Sequence, residues 1–188
     1  MSPGGGVGSR VYTTGSSAMV RRAAVGAPIL LMAYGLLRLL DGLDGTYRQG
    51  LAWNLALPAL FASMVLFGVL AAAVRPLVPS GARAVAALAA VATVAGAVCF
   101  VWTVTGLLST AAGEAAPTPV RIAGPLLFAL GMLTILGLLV AARRAPAWSP
   151  LLFGAGIAAM LIDADSLAPA ALILLAALAP LARPSVRA

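Results

Sequence analysis

Six long apolar runs, at 23–40, 51–74, 84–108, 122–142, 145–162 and 167–182, are separated by short polar links. None alternates apolar and polar residues with the period of two that a half-buried strand needs, and all are longer than an ordinary strand. They predict helices. A hydrocarbon core of about 30 Å takes about 20 helical residues, with about 17 to 25 the usual range, and the last two runs sit at its short end. These two are expected as a tight hairpin, with Pro146 and Trp148 at one interface and residues 163–166 at the other. Lipid offers bare backbone groups no partner, which leaves helices or a closed barrel, and unalternating runs exclude the barrel. The expected fold is therefore all-α, an integral membrane bundle of six transmembrane helices. Residues 1–20, rich in Gly, Ser and Thr without an apolar period, predict a disordered tail, and residues 21–188 a single six-helix transmembrane domain. The first run ends at Arg38 and Asp41 rather than at a small-residue cleavage site, so it reads as a retained helix.

Composition agrees with this pattern. The chain is 62% hydrophobic and 9% charged, with a mean hydropathy of +1.07, where a soluble domain carries roughly a quarter charged residues. Too little polar surface exists to cover a water-facing exterior. The 12 basic residues are all Arg and outnumber 5 acids. They lie scattered between apolar runs rather than gathered on one soluble face, so nucleic acid is excluded as a partner despite a pI near 11.3. There is no His, and Cys99 is alone in an apolar run. No disulfide within the chain, no Cys/His metal site and no cofactor is expected. Without His or Lys the usual general bases and Schiff-base nucleophiles are missing, and no Gly-rich phosphate loop appears.

The placement of charge predicts an orientation. Arg10, Arg21, Arg22, Arg75, Arg83, Arg143, Arg144, Arg183 and Arg187 fall on one side of the successive runs, with no acid among them. Asp41, Asp44, Glu114, Asp163 and Asp165 fall on the other, beside Arg48 and Arg121, with Arg38 just inside the first run. Basic residues gather on the cytoplasmic side of membrane proteins, so both termini are expected inside. Trp53 and Trp102 then lie near outer ends and Trp148 near an inner one, where amphipathic rings prefer to sit. The expected location is the bacterial cytoplasmic membrane, multi-pass. The expected partners are the lipid bilayer and either further copies of the chain or other membrane proteins.

Helices in lipid associate where small residues let backbones approach. Ala86, Ala90, Ala92 and Gly96 in the third run and Gly154 and Ala158 in the fifth have that spacing, which predicts a compact bundle with the third helix central. Pro58 removes a donor to the carbonyl of Asn54 and predicts a kink near the outer end of the second run. Asn54 itself is expected at the interface, bonded to a neighbouring helix or to water.

The most polar internal stretch is RLLDGLDGTYRQG, residues 38–50. Arg38 precedes Asp41 by three, so on a continuing helix the two share a face and are expected to pair, while Gly42 and Gly45 permit a turn. Asp41, Asp44, Gly45 and Arg48 resemble the first part of the CDP-alcohol phosphotransferase signature. That family, of six-helix membrane enzymes, gathers divalent cations around a pyrophosphate with two pairs of aspartates. Here the match ends after about eight residues: Arg48 lies one place early, no alanine precedes it, residues 51–74 contain no acid, and the side is outer where CDP-linked substrates are cytosolic. The longer stretch MAYGLLRLLDGLDGTYRQGLAWNL, residues 32–55, resembles the first outer loop of small uncharacterised bacterial multi-helix integral membrane proteins, a resemblance that implies no activity. If the outer ends converge, Arg38, Asp41, Asp44, Arg48, Arg121, Asp163 and Asp165 form one charged cup able to take a cation, an anionic lipid head or a small polar solute. Otherwise they are a solvated polar surface. The expected function is a polytopic membrane protein without a catalytic motif, an accessory subunit or small solute carrier. The alternative is a membrane-embedded enzyme acting on a lipid or isoprenoid at the outer interface through its carboxylates.

Overall fold

The computed structural model describes residues 8–43, 50–106, 117–162 and 166–183, with side chains described from residue 18 onward and not at 105–106. Six α-helices account for almost all of them: α1 (Gly8–Leu43), α2 (Leu51–Ala73), α3 (Arg83–Gly106), α4 (Thr118–Ala141), α5 (Trp148–Ile162) and α6 (Leu167–Ala182). No strand occurs among the described residues. Two short 3-10 turns, Arg75–Leu77 and Ser80–Ala82, link α2 to α3. Four segments are long and apolar enough to cross a membrane: Ala18–Leu43, Leu51–Leu77, Ser80–Val104 and Thr118–Ala141. The helices α5 and α6, of 15 and 16 residues, are apolar but shorter.

One boundary differs from the sequence expectation. The helix α1 begins at Gly8, so most of the stretch expected to be a disordered tail is helical. Once a helix is nucleated, each added residue gains a hydrogen bond for one further pair of torsions, and no proline interrupts residues 8–27 to stop it.

The helices pack in chain order, each against the next, and α6 returns to α1, which closes a ring. Neighbours run antiparallel. Along α3 and α4, Gly96 faces Phe128 while Gly131 faces Ala89 and Thr93. Along α5 and α6, Ser149 bonds Ala177 while Gly156 faces Leu174 and Ala170. At the closing seam Gly35 of α1 lies against Leu167 and Ala168 of α6. The ring order corrects the expectation of a central third helix. Ala89, Thr93 and Gly96 line the side of α3 toward α4. Val94 meets Gly68 of α2, and Leu88, Val91 and Val98 are exposed, as lipid-facing residues would be.

Phenylalanines fill the middle. Phe67 of α2, Phe128 of α4 and Phe153 of α5 are buried. The Phe67 ring meets Phe128 edge-on at 5.2 Å between centroids and Phe153 at 6.4 Å, with Phe128 and Phe153 tilted at 6.4 Å. Each such pair adds about 0.5–1.5 kcal/mol beyond the area it buries. Around them close Leu60, Met132, Ile135, Leu139, Leu174 and Leu178, each at most 1–2% exposed.

Candidate functional site

The antiparallel ring sorts the charged residues by end. At one end α1 finishes, α2 begins and α4 begins, and there stand Arg38, Asp41 and Arg121. Trp53, in the first turn of α2, and Trp102, near the end of α3 and 55% exposed, stand at the same end. Asp44, Arg48, Asp163 and Asp165, the other members of the expected cup, lie outside the described residues, as does Glu114.

Asp41 departs from the solvated turn that its neighbours in sequence suggest. It is 3% exposed and still helical, two residues from the end of α1. The cause lies in the spacing of α1's inner face. Val20, Ala24, Ala27, Leu31 and Tyr34 are buried at alternating intervals of four and three, and the same interval continues to Arg38 and then Asp41. A stripe with that repeat stays on one face of the helix along its length. Arg38 is half-buried on this stripe, its long stem able to cover apolar surface while the guanidinium reaches outward. Asp41 is engaged in an interaction of its own, and the helical spacing keeps Arg38 on the same face of α1. Arg121, in the first turns of α4, is exposed. The structure thus brings Arg38 and Asp41 onto one stripe and leaves Arg121 at the surface of the same end.

The remaining buried polar side chains serve the helices themselves. Ser63 of α2 donates to Ala27 O of α1 at 2.8 Å, and Ser149 of α5 donates to Ala177 O of α6. Thr93 donates back to Ala89 O at 2.9 Å within α3. Ser166 Oγ donates at 2.7 Å to Ala159 O, one of the last four carbonyls of α5 that have no partner inside the helix. Asn54 is exposed in the first turn of α2, where an interfacial residue belongs, and Pro58 lies one turn further along in a continuous helix. No group of three or more His, Cys, Asp or Glu able to hold a metal exists among the described residues.

The opposite end is uniformly basic. Arg21, Arg22, Arg75, Arg83, Arg143, Arg144 and Arg183 are all exposed there, while Arg10 and Arg187 lie outside the described side chains. Trp148, 45% exposed, opens α5 at the same end. The link from α4 to α5 turns at Arg143, whose φ of 56° is the positive non-glycine value among the described residues. Arg144 N bonds Leu139 O at 2.8 Å and Arg143 N bonds Val140 O at 2.9 Å, which is the Schellman pattern that ends a helix through one left-handed residue.

Three features escaped the sequence reading. The burial of Asp41 follows the four-three stripe of α1, which runs on through residues whose charge suggests a turn. The glycines that bring α3 and α4 together include Gly124 and Gly131 of α4, and in α5 the close approach is at Gly156, with Gly154 in ordinary contact and Ala158 exposed. The phenylalanine trio comes from three separate runs and has no signal in any one of them. Comparison with family models, with curated proteins and with solved structures yields no match to this chain.

Proposed function

We propose that this chain is a non-enzymatic, multi-pass accessory subunit of a bacterial cytoplasmic membrane, with both termini on the cytoplasmic side. The reading rests on how the interior is used. The middle of the ring is occupied by Phe67, Phe128 and Phe153, and the buried hydroxyls of Ser63, Thr93 and Ser149 are directed to backbone carbonyls. Polar groups spent in this way hold helices to one another rather than a solute. The seven exposed arginines at one end support the orientation, since positive charge is retained on the cytoplasmic face. Expected partners are the bilayer and either other membrane proteins or further copies of the chain. Native-state mass measurement after mild detergent extraction tests this reading: the account expects an assembly heavier than one chain with its detergent belt, unaltered by Asp41→Asn.

The burial of Asp41 favours a second reading, a carrier or a membrane-embedded enzyme working at the outer interface through a carboxylate. A buried acid in an apolar bundle is costly and is more often functional than ornamental. Proteoliposomes that move a solute, or convert a lipid, with wild-type protein but not with Asp41→Asn would select this reading over the first.

A further inference from the structure

The arginines at the basic end are not evenly spread around the ring. Antiparallel register carries Arg183, at the end of α6, beside two other groups. With Ser149 bonded to Ala177, the end of α6 lies level with the α4–α5 link and its Arg143 and Arg144. With Gly35 against Ala168, the same end lies level with Arg21 and Arg22 of α1. Five exposed arginines therefore follow one arc from the α4–α5 link across α6 to α1, whereas Arg75, twelve residues beyond the Ser63–Ala27 bond where Arg21 is only six back, stands further out on the α2–α3 link with Arg83. No Asp or Glu occurs in residues 1–40, 51–113, 115–162 or 166–188, so the chain supplies no acidic side chain to this end.

A second feature coincides with the arc. At about 1.5 Å per residue, α5 and α6 span only about 22–24 Å, short of a hydrocarbon core of about 30 Å. The bilayer meets a short helix by thinning, which draws phosphates toward its ends. Trp148, exposed at the first residue of α5, marks that interface.

We propose that Arg21, Arg22, Arg143, Arg144 and Arg183 form a binding surface for the headgroups of anionic phospholipids. The planar guanidinium donates two parallel hydrogen bonds to a phosphate, and clustered positive charge selects lipids with net negative headgroups over zwitterionic ones. The proposal rests on the membrane reading given above.

The test compares the full-length chain in nanodiscs of phosphatidylglycerol and of phosphatidylcholine, reading lipids retained on release by native mass spectrometry. Wild type is expected to retain phosphatidylglycerol preferentially. Arg144→Gln with Arg183→Gln is expected to weaken that retention roughly fivefold for each arginine removed. Arg75→Gln with Arg83→Gln, the same loss of charge off the arc, is expected to leave it largely intact. Equal loss in both variants would show general surface charge and overturn the arc. So would displacement of the lipid by inorganic phosphate at matched concentration, which would make free phosphate the occupant. Incorporation into both discs without a lipid preference sinks the proposal alone, whereas failure to enter either disc sinks the membrane reading with it.

Discussion

Gly96 of α3 lies directly against the backbone of Phe128 in α4: a Cβ placed on Gly96 would stand 2.8 Å from Phe128 Cα and 2.6 Å from Gly124 O. Both neighbours are main chain, which has no rotamer to yield. Gly131 answers from α4, where a Cβ would stand 2.6 Å from Ala89 O and 2.7 Å from Thr93 N. The seam exists because three small positions interleave. Gly96→Leu and Gly131→Ala are each expected to destabilise the folded protein by about 1–3 kcal/mol or more, as overpacking does. Gly137→Ala, with nothing within 4 Å of the added methyl, is expected to be neutral or to stabilise by up to about 1 kcal/mol. Thermal unfolding in detergent separates the two groups. Equal behaviour of all three variants would show that the α3–α4 seam is not this close.

The phenylalanine trio makes a different prediction. Phe67 touches both partners edge-on, so Phe67→Ala is expected to cost about 3–5 kcal/mol, more than Ser63→Ala, whose interhelical hydrogen bond is worth about 0.6 kcal/mol in a membrane. The double variant Phe67→Ala with Phe153→Ala is expected to lose less than the two single losses added, because both remove the same contact. Strict additivity in a reversible unfolding assay would contradict the packed trio.

Arg38 and Asp41 share the α1 stripe, three residues apart, and Asp41 is buried there. Asp41→Ala is therefore expected to destabilise the folded protein, because the group that Asp41 engages is left unsatisfied, and Arg38→Leu in the same chain is expected to restore much of the loss. A double-mutant cycle with a coupling near zero would contradict the ion pair that helical spacing suggests.

At the other end, Arg143 holds a left-handed conformation that costs an ordinary side chain about 1–2 kcal/mol and a glycine almost nothing. Arg143→Gly is expected to raise stability by about 0.5–1 kcal/mol, since the Schellman hydrogen bonds use only backbone atoms. Lower melting of that variant at neutral ionic conditions would show that the side chain contributes more than its backbone strain removes.

Much of this molecule is readable in one dimension because long unbroken apolar runs decide where each helix lies. The second run was expected at 51–74 and α2 is Leu51–Ala73; the sixth was expected at 167–182 and α6 is Leu167–Ala182. Polar links interrupt the runs where helices end, so their bounds survive folding. Partner choice is another matter. Ala92 and Gly96 have the spacing of a packing motif, yet Gly96 meets α4 while Ala92 is only half-buried, because the partner's small residues, Gly124 and Gly131, decide which positions interlock. Of the expected charged cup, Arg38, Asp41 and Arg121 stand at one end as the alternation of helices requires, but burial of Asp41 depends on the neighbours of α1, which no local spacing of charges reveals.

The central claim is an apolar six-helix ring whose arginine end faces the cytoplasm. Paired alkaline phosphatase and green fluorescent protein fusions, placed at residues 46, 78, 114, 146 and 164 in the full chain, measure it directly. The account predicts phosphatase activity without fluorescence at 46, 114 and 164, and fluorescence without phosphatase activity at 78 and 146. A fluorescent, phosphatase-inactive fusion at 46 together with an active phosphatase at 146 would invert the molecule, place the Asp41 end in the cytoplasm and contradict the account.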